Sequence, residues 1–298
     1  MDKIEILKEL EAARKQIEVL ARKVNVYELQ YKNHGKMHIC MPNYRGTMES
    51  QAYESLMSLW HTMGVRRREF NFSNYQGTVV SQARQMCVDT ALTDPDCEYI
   101  VFIDDDMVYT PEDFLRLEIE MFDKDLDYVA ALGFSNSIPT KPCVFGKYPG
   151  LHPQDESKTW WHIVTDYPKN QLFKCYATGM GMTFIRKRML DKMRRKENGE
   201  VDPGYQHFVH KTIPNEDVAF GVKAQEQGFE LWCDSRVKIG HISKDRPIIS
   251  EETYYALGDA IETAGDVERL KFKPGTIDLV KMNGKQPKRE IIYPEVVL

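Results

Sequence analysis

The run Tyr99-Ile100-Val101-Phe102-Ile103-Asp104-Asp105-Asp106 constrains this chain most, because five strand-forming residues deliver three adjacent carboxylates to one point. Side chains alternate across a strand, which predicts Asp104 and Asp106 on one face, roughly 6–7 Å apart, with Asp105 pointing away. At an effective dielectric of 20, like charges 4 Å apart repel by about 4 kcal/mol, and a divalent cation converts that cost into affinity. All-oxygen donors favour Mg²⁺, Mn²⁺ or Ca²⁺ over zinc. The other reading of the trio is a solvated acidic turn. An EF-hand does not fit, since Val108 and Tyr109 stand where a ligand and a glycine are needed.

Thr110-Pro111-Glu112-Asp113 reads as a helix start, with Thr110 as N-cap, proline at the first helical position and an acid three residues on. The acids therefore lie between a buried strand and a helix, where open α/β sheets bind ligands. Strand and helix alternate around this point. Strands are expected at Met37–Met41, Glu69–Phe72, Tyr128–Leu132 and Glu230–Asp234, with a glycine-punctuated strand at Tyr176–Ile185. Helices are expected at Met48–Met63, Val79–Leu92, Arg186–Lys196 and Asp217–Gln227; Ser73–Gly77 reads as a loop and Pro139–Pro168 as an irregular excursion. That rhythm implies an α/β fold with a mostly parallel sheet covered on both faces.

Ile6, Leu10, Ala13, Ile17, Leu20, Val24, Tyr27 and Tyr31 form a heptad seam, so residues 1–33 are read as a coiled-coil helix through which the chain self-associates. An amphipathic helix laid on its own domain is the alternative. A catalytic domain is expected over 36–248 and an accessory helix and tail over 249–298. The 298 residues carry a net charge of −5, which gives no global case for nucleic-acid binding. No stretch is apolar enough to span a bilayer, the N-terminus lacks a signal-peptide core, and six scattered cysteines form no CxxC pair. A reducing cytoplasm and no membrane partner are the expectation.

Pro214-Asn215-Glu216-Asp217 opens a helix, where the macrodipole stabilises acids and makes Asp217 a weak base that depends on positioning. His241 is a candidate metal ligand or a structural histidine, and His207 and His210 lack partners for a zinc site. Gly179 and Gly181 mark either close approach or a bulge. Arg84 faces solvent or a phosphate and base.

This ordered set resembles the GT-A glycosyltransferases, over about residues 37–245: the strand Met37–Pro42, the helix with Ser81-Gln82-Ala83-Arg84, Asp104-Asp105-Asp106, Ala177–Gly181, Glu216-Asp217 and His241. The resemblance implies a Rossmann-like sheet, a nucleoside-diphosphate sugar donor, UDP for preference, and Mn²⁺ or Mg²⁺ bound by Asp106 and His241. It implies Asp104 as a contact to ribose or metal, beside Asp105 in the DxD trio. Pro42, Tyr44 and Arg84 then line the nucleotide pocket, Gly179 and Gly181 the sugar and acceptor region, and Asp217 with Glu216 the catalytic position. A single base implies inversion. Gln85, where such enzymes often carry asparagine, and the third acid Asp105 depart from the usual pattern.

The Arg84 region and the apolar run ending in aspartates are also similar to GT-A proteins of bacteriophages, some of which glycosylate modified bases in DNA. The acceptor is thus a glycan or a DNA base, and the compartment a bacterial or phage-infected cytoplasm. The run Arg186, Lys187, Arg188, Lys192, Arg194, Arg195 and Lys196 is either a basic face for a polyanion or a solvated helix face. Two competing functions remain: a haloacid-dehalogenase-like phosphatase with Asp104 as nucleophile, and a non-catalytic nucleotide- or glycan-binding coiled-coil protein.

Overall fold

The computed structural model describes residues 34–44, 46–137, 140–152, 155–209, 215–243 and 246–255, positions 13 and 16, and three strands near the C-terminus. The coiled-coil segment 1–33 lies outside the described residues, apart from those two helical positions. The three late strands, Arg269–Lys273, Thr276–Lys281 and Ile291–Ile292, form a small antiparallel sheet of their own.

The chain begins β1 (Lys36–Asn43), α1 (Ser50–Val65), β2 (Phe70–Gln76), α2 (Val80–Thr93), β3 (Cys97–Ile103), β4 (Met107–Val108), α3 (Pro111–Asp123) and β5 (Tyr128–Leu132). It continues β6 (Val144–His152), β7 (Asp155–Ile163), β8 (Leu172–Cys175), β9 (Ala177–Thr178), β10 (Met182–Arg186), α4 (Lys187–Met193), α5 (Glu216–Glu226), β11 (Leu231–Lys238), β12 (Gly240–Ser243) and β13 (Arg246–Ile249). The main sheet has seven strands in the order β2-β1-β3-β10-β5-β11-β8. Pairings show β2, β1, β3, β5 and β11 running one way, with β10 and β8 reversed. The sheet is therefore mostly parallel by strand direction, and β10 is wedged between two parallel neighbours.

Strand alternation sorts the core into two layers. Tyr99, Val101 and Ile103 of β3 point with Met37, Ile39 and Phe184 toward α1 and α3, where Leu56, Leu59, Phe114 and Leu117 are buried. Ile100 and Phe102 point the other way, against Cys87 and Val88 of α2, Met189 of α4 and Phe220 of α5. Both faces of β3 are thus covered, as its uninterrupted apolar sequence requires.

Several boundaries depart from the sequence reading. Ser73–Gln76, read as loop, extends β2, since Ser73 pairs with Cys40 and Gln76 with Asn43; β1 correspondingly runs on past the expected Met41 to Asn43. The excursion over Pro139–Pro168 contains the β6–β7 hairpin, with Trp161 packed edge-on against Phe145 at 5.3 Å. The glycine-punctuated strand is two strands, β9 and β10, broken at Gly179–Gly181, and the basic helix is confined to Lys187–Met193. All six cysteines are free thiols. Among the described residues, no helix is long and apolar enough to cross a membrane.

Candidate active site

The residues expected to bind donor or metal or to act as base lie on or near the sheet edge where the parallel strands end. Tyr44 follows β1, Asp104 follows β3, Phe134 follows β5 and His241 follows β11; the reversed strand β10 begins there, just after Gly181. The strand at β3 stops at Ile103, and Asp104–Asp106 occupy a turn in which the Met107 amide donates to the Asp104 carbonyl at 3.3 Å. Strand alternation therefore does not govern the acids. Asp104 and Asp106 line the same cleft but engage different partners, Arg84 and His241. The turn is fixed from both ends: the Asp104 amide donates to the Gly181 carbonyl at 3.1 Å, and Thr110 and Asp113 close a reciprocal capping box at the start of α3.

On one side, β4 pairs with β12 in a register that puts Met107 opposite His241, and the Ile242 amide donates to the Asp106 carbonyl at 2.8 Å. These contacts bring together side chains 135 residues apart: His241 Nε2 is 3.1 Å from Asp106 Oδ2. His241 Nδ1 lies 3.0 Å from the Phe134 carbonyl, to which it can only donate. A neutral His241 then turns its Nε2 lone pair toward a carboxylate oxygen, and two acceptors face each other. Either a proton or a cation must sit between them. Burial opposes a charged imidazole, yet the hydrogen bond and charge of Asp106 hold the His241 pKa above its ordinary value. A ring nitrogen oriented by a backbone carbonyl, beside a carboxylate, is the donor chemistry of a divalent-cation holder. Among the described residues no three His, Cys, Asp or Glu side chains converge into a closed metal cage, so this pair fits an ion only with further donors from a ligand.

On the other side stands Arg84. Helix α2 buries Ser81, Arg84, Cys87 and Val88 on one face, which carries the guanidinium beneath the turn. Its Nη2 donates to both oxygens of Asp104, at 2.9 and 3.1 Å, and its Nη1 to Glu216 Oε1 at 2.8 Å. Arg84 is 3% exposed, so it does not face solvent. Burial alone would lower its pKa, but Asp104, Glu216 and Asp217 together raise it. The sequence reading placed Arg84 in the nucleotide pocket and Glu216 at the catalytic position. In the structure each is first a partner of the other, and Arg84 bridges the β3 turn to the first turn of α5.

Asp217 is the second residue of α5. Asn215 occupies the N-cap position but makes no side-chain capping bond, and Asp217 Oδ1 accepts instead from the Val218 amide at 2.8 Å. The expectation of a weak, dipole-acidified base is overturned. Burial pushes the Asp217 pKa up, with Glu216 adding to the rise and Arg84 opposing it, to about 6. Cys143 lies beside it, its thiol raised by burial to about 12.

Gly179 and Gly181 are required by packing. A Cβ on Gly179 would sit 2.9 Å from Cys143 Cβ and 3.6 Å from Asp217 Oδ2, and one on Gly181 would sit 2.8 Å from Met107 Sδ. Both glycines line the cleft, and the atoms a Cβ would meet belong to residues that line it too. That cleft has two adjoining lobes. One, about 380 Å³, is lined by Pro42, Tyr44, Arg84, Asp104, Asp105, Asp106, Glu216, Asp217 and His241, and also by Thr47, Glu49 and Val80. The second, about 220 Å³, shares Asp104, Asp217 and His241 and continues past Gly179 and Gly181 to Phe134, Cys143 and Ile239.

The sequence reading missed Thr47, Glu49, Val80, Phe134 and Cys143. Phe134 alone carried a signal, its place just beyond the end of an expected strand. Tyr44 is 64% exposed, an aromatic face open to the cleft. His207 is buried and donates Nε2–H to the Leu190 carbonyl at 2.9 Å, a structural role, and His210 lies outside the described residues. The basic run is far from the cleft: β10 enters at Met182 opposite Ile103 and leaves at Arg186 opposite Tyr99, at the other end of β3. There Arg188 pairs with Asp125 and Asp127, and Arg194 with Asp191. A larger cavity of about 480 Å³, between β8 and the end of α5, holds the Lys174–Glu230 pair and gathers no comparable chemistry.

No protein-family model matches this sequence, and no curated protein matches it. Solved structures with a similar chain path include A197 from STIV, at 17% identity over 73% of this chain and 91% of that one, with a TM-score of 0.49. GalNAc-T7 with UDP, GalNAc and Mn²⁺ is similar at 12% identity over 77% of this chain and 49% of that one, TM-score 0.46. A Drosophila beta-1,4-galactosyltransferase 7 mutant with manganese, UDP-Gal and xylobiose is similar at 14% identity over 70% and 71%, TM-score 0.38. At such identities and scores the likeness carries nothing about chemistry.

Proposed function

We propose that this chain is a GT-A type glycosyltransferase that moves a sugar from a nucleoside diphosphate, UDP for preference, to an acceptor hydroxyl with inversion. The observation that supports this most is the placement of Asp217, a half-buried carboxylate with its pKa raised to about 6, in the same cleft as the Asp106–His241 pair. A base is most effective when its pKa lies near the working pH. Asp217 takes the proton from the acceptor hydroxyl as that oxygen attacks the anomeric carbon, and no second carboxylate need act as a nucleophile.

Asp106 and His241 would hold Mn²⁺ or Mg²⁺, which when bound supplies positive charge to the departing diphosphate. Tyr44 offers its ring to the base, with Pro42 and Val80 flanking it. Asp104 keeps lone pairs beyond those taken by Arg84, so it can accept from a ribose hydroxyl. The smaller lobe, past Gly179 and Gly181, receives the sugar and the acceptor.

Asp104 is a poor candidate for a phosphatase nucleophile, since both of its oxygens accept from Arg84. A non-catalytic binding protein leaves the poised base without a purpose. The acceptor is a glycan hydroxyl or a modified DNA base, and the basic run gives the latter no support, being remote from the cleft, with Arg186, Arg188 and Arg194 taken up in ion pairs. A cytoplasmic setting and self-association through residues 1–33 belong to the same reading.

The test is a panel of nucleoside-diphosphate sugars incubated with the full chain and Mn²⁺, following release of the nucleoside diphosphate. Release that requires Mn²⁺ and drops sharply in Asp217→Asn supports the transferase. Rapid turnover of a simple phosphate ester in place of the sugar nucleotides would replace it with the phosphatase.

A further inference from the structure

We infer that Arg84 is a positioning residue rather than a donor-binding one: its guanidinium ties the Asp104 turn to Glu216 and so fixes the start of α5, setting where Asp217 stands relative to the cleft. The inference rests on the transferase reading for Asp217 and goes beyond it by assigning Arg84 and Glu216 their part.

The geometry is specific. Three of the hydrogen bonds made by one buried side chain go to two carboxylates that enter from different elements, the turn after β3 and the first turn of α5. Asn215 gives that first turn no side-chain cap, so the Glu216–Arg84 bond is its side-chain anchor to the sheet side of the cleft. A planar fork can hold two carboxylates at once in fixed directions, which an ammonium on a flexible stem does not reproduce. Residue 217 follows the anchored residue directly. A shift of about 1 Å at a reacting group costs on the order of a hundredfold in rate.

The charged and titratable groups that bear on Asp217 are Arg84 from α2, Glu216 beside it, Asp104 from the β3 turn, Cys143 from the segment before β6, and Tyr128 from β5. Arg84 lowers the Asp217 pKa, while Glu216 and Asp104 raise it. The two ends of the tether therefore act on the base with opposite sign.

The experiment measures kcat, donor KM and the acid limb of the pH–rate profile in the full chain, for wild type, Arg84→Gln, Arg84→Lys and Glu216→Gln. Arg84→Gln is expected to lower kcat by on the order of a hundredfold with donor KM unchanged, and to move the acid limb to higher pH. Arg84→Lys recovers part of the limb position, because charge is restored, but little of the kcat. Glu216→Gln, which leaves the Arg84–Asp104 pair in place and so protects the fold, lowers kcat and moves the limb to lower pH. A raised donor KM with an unmoved limb would make Arg84 a donor contact and overturn the inference. Loss of all activity at every pH in Glu216→Gln would make Glu216 the base and overturn it too. Carbon-13 NMR titration of the Asp217 carboxyl in the same variants reads the opposite shifts without turnover, and absence of those shifts overturns the inference. A wild type with no turnover but the expected NMR shifts contradicts the transferase reading alone.

Discussion

Replacing Asp217 by asparagine should make the protein more stable at neutral pH while removing its base. The carboxyl would titrate near 3.8 in the open chain and at about 6 in the fold, where burial is the main cause of the rise. That interval corresponds to about 3 kcal/mol, by which ionised Asp217 works against folding. The sign follows from linkage. A raised folded-state pKa gives stability that is complete below 3.8 and lost as pH climbs through about 6, so wild type carries the full penalty at pH 7.5. Asparagine is neutral at every pH and keeps the carbonyl that accepts from Val218. Differential scanning calorimetry at pH 7.5 should therefore place the midpoint of Asp217→Asn above wild type by roughly 6–12 °C, taking 2–4 °C per kcal/mol for a domain of this size. At pH 4 the two midpoints should nearly coincide. The rate of sugar transfer should fall by about 10²–10⁴-fold, the usual contribution of a general base. A variant no more stable than wild type at pH 7.5, or a difference that persists unchanged at pH 4, would refute the claim that Asp217 is a partly desolvated, ionised base.

Three further outcomes follow from the same geometry. Asp106→Ala should abolish the part of UDP-induced thermal stabilisation that requires Mn²⁺, about 2.7 kcal/mol at a ligand concentration a hundredfold above Kd, while a thermal shift retained in full would remove Asp106 from the site. Gly181→Ala places a Cβ 2.8 Å from Met107 Sδ and 2.9 Å from Ile239 Cδ1 and should cost about 1–3 kcal/mol in urea denaturation, with an unchanged midpoint showing that the strand break tolerates a side chain. Glu118→Ala leaves Arg68 buried without the carboxylate it shares with Tyr99, at the far end of β3, and should cost about 3–5 kcal/mol of stability, with donor KM measured on the folded fraction unchanged.

Much of the site was legible because strong local signals coincided. An apolar strand ending in acids and a capping box at Thr110 located the cleft, and both features are present as read. Direction was less legible than position. Nothing local to Asp104 or Asp106 says that one turns to an arginine on α2 and the other to a histidine on β12, because those contacts depend on the β4–β12 pairing and on the reversed strand β10. Residues 70–76 read as strand running into loop because Asn, Ser and Gln dominate; pairing with β1 at the sheet edge overrides that preference. The hairpin over 144–163 was hidden by Gly146, Pro149 and Gly150, which are signals against a strand. The pKa of Asp217 was misjudged for a related reason: the helix terminus is visible in sequence, and the depth of burial is not.

The central claim is that Asp106 and His241 share a divalent ion with a nucleotide diphosphate at the end of β3. Anomalous diffraction at the manganese edge, from crystals of the full chain grown with MnCl₂ and UDP, tests it directly. One strong peak is expected between Asp106 Oδ2 and His241 Nε2, with the diphosphate completing its coordination. A nucleotide bound elsewhere, or a Mn²⁺ peak away from both side chains with Asp106 still bonded to His241, would contradict it.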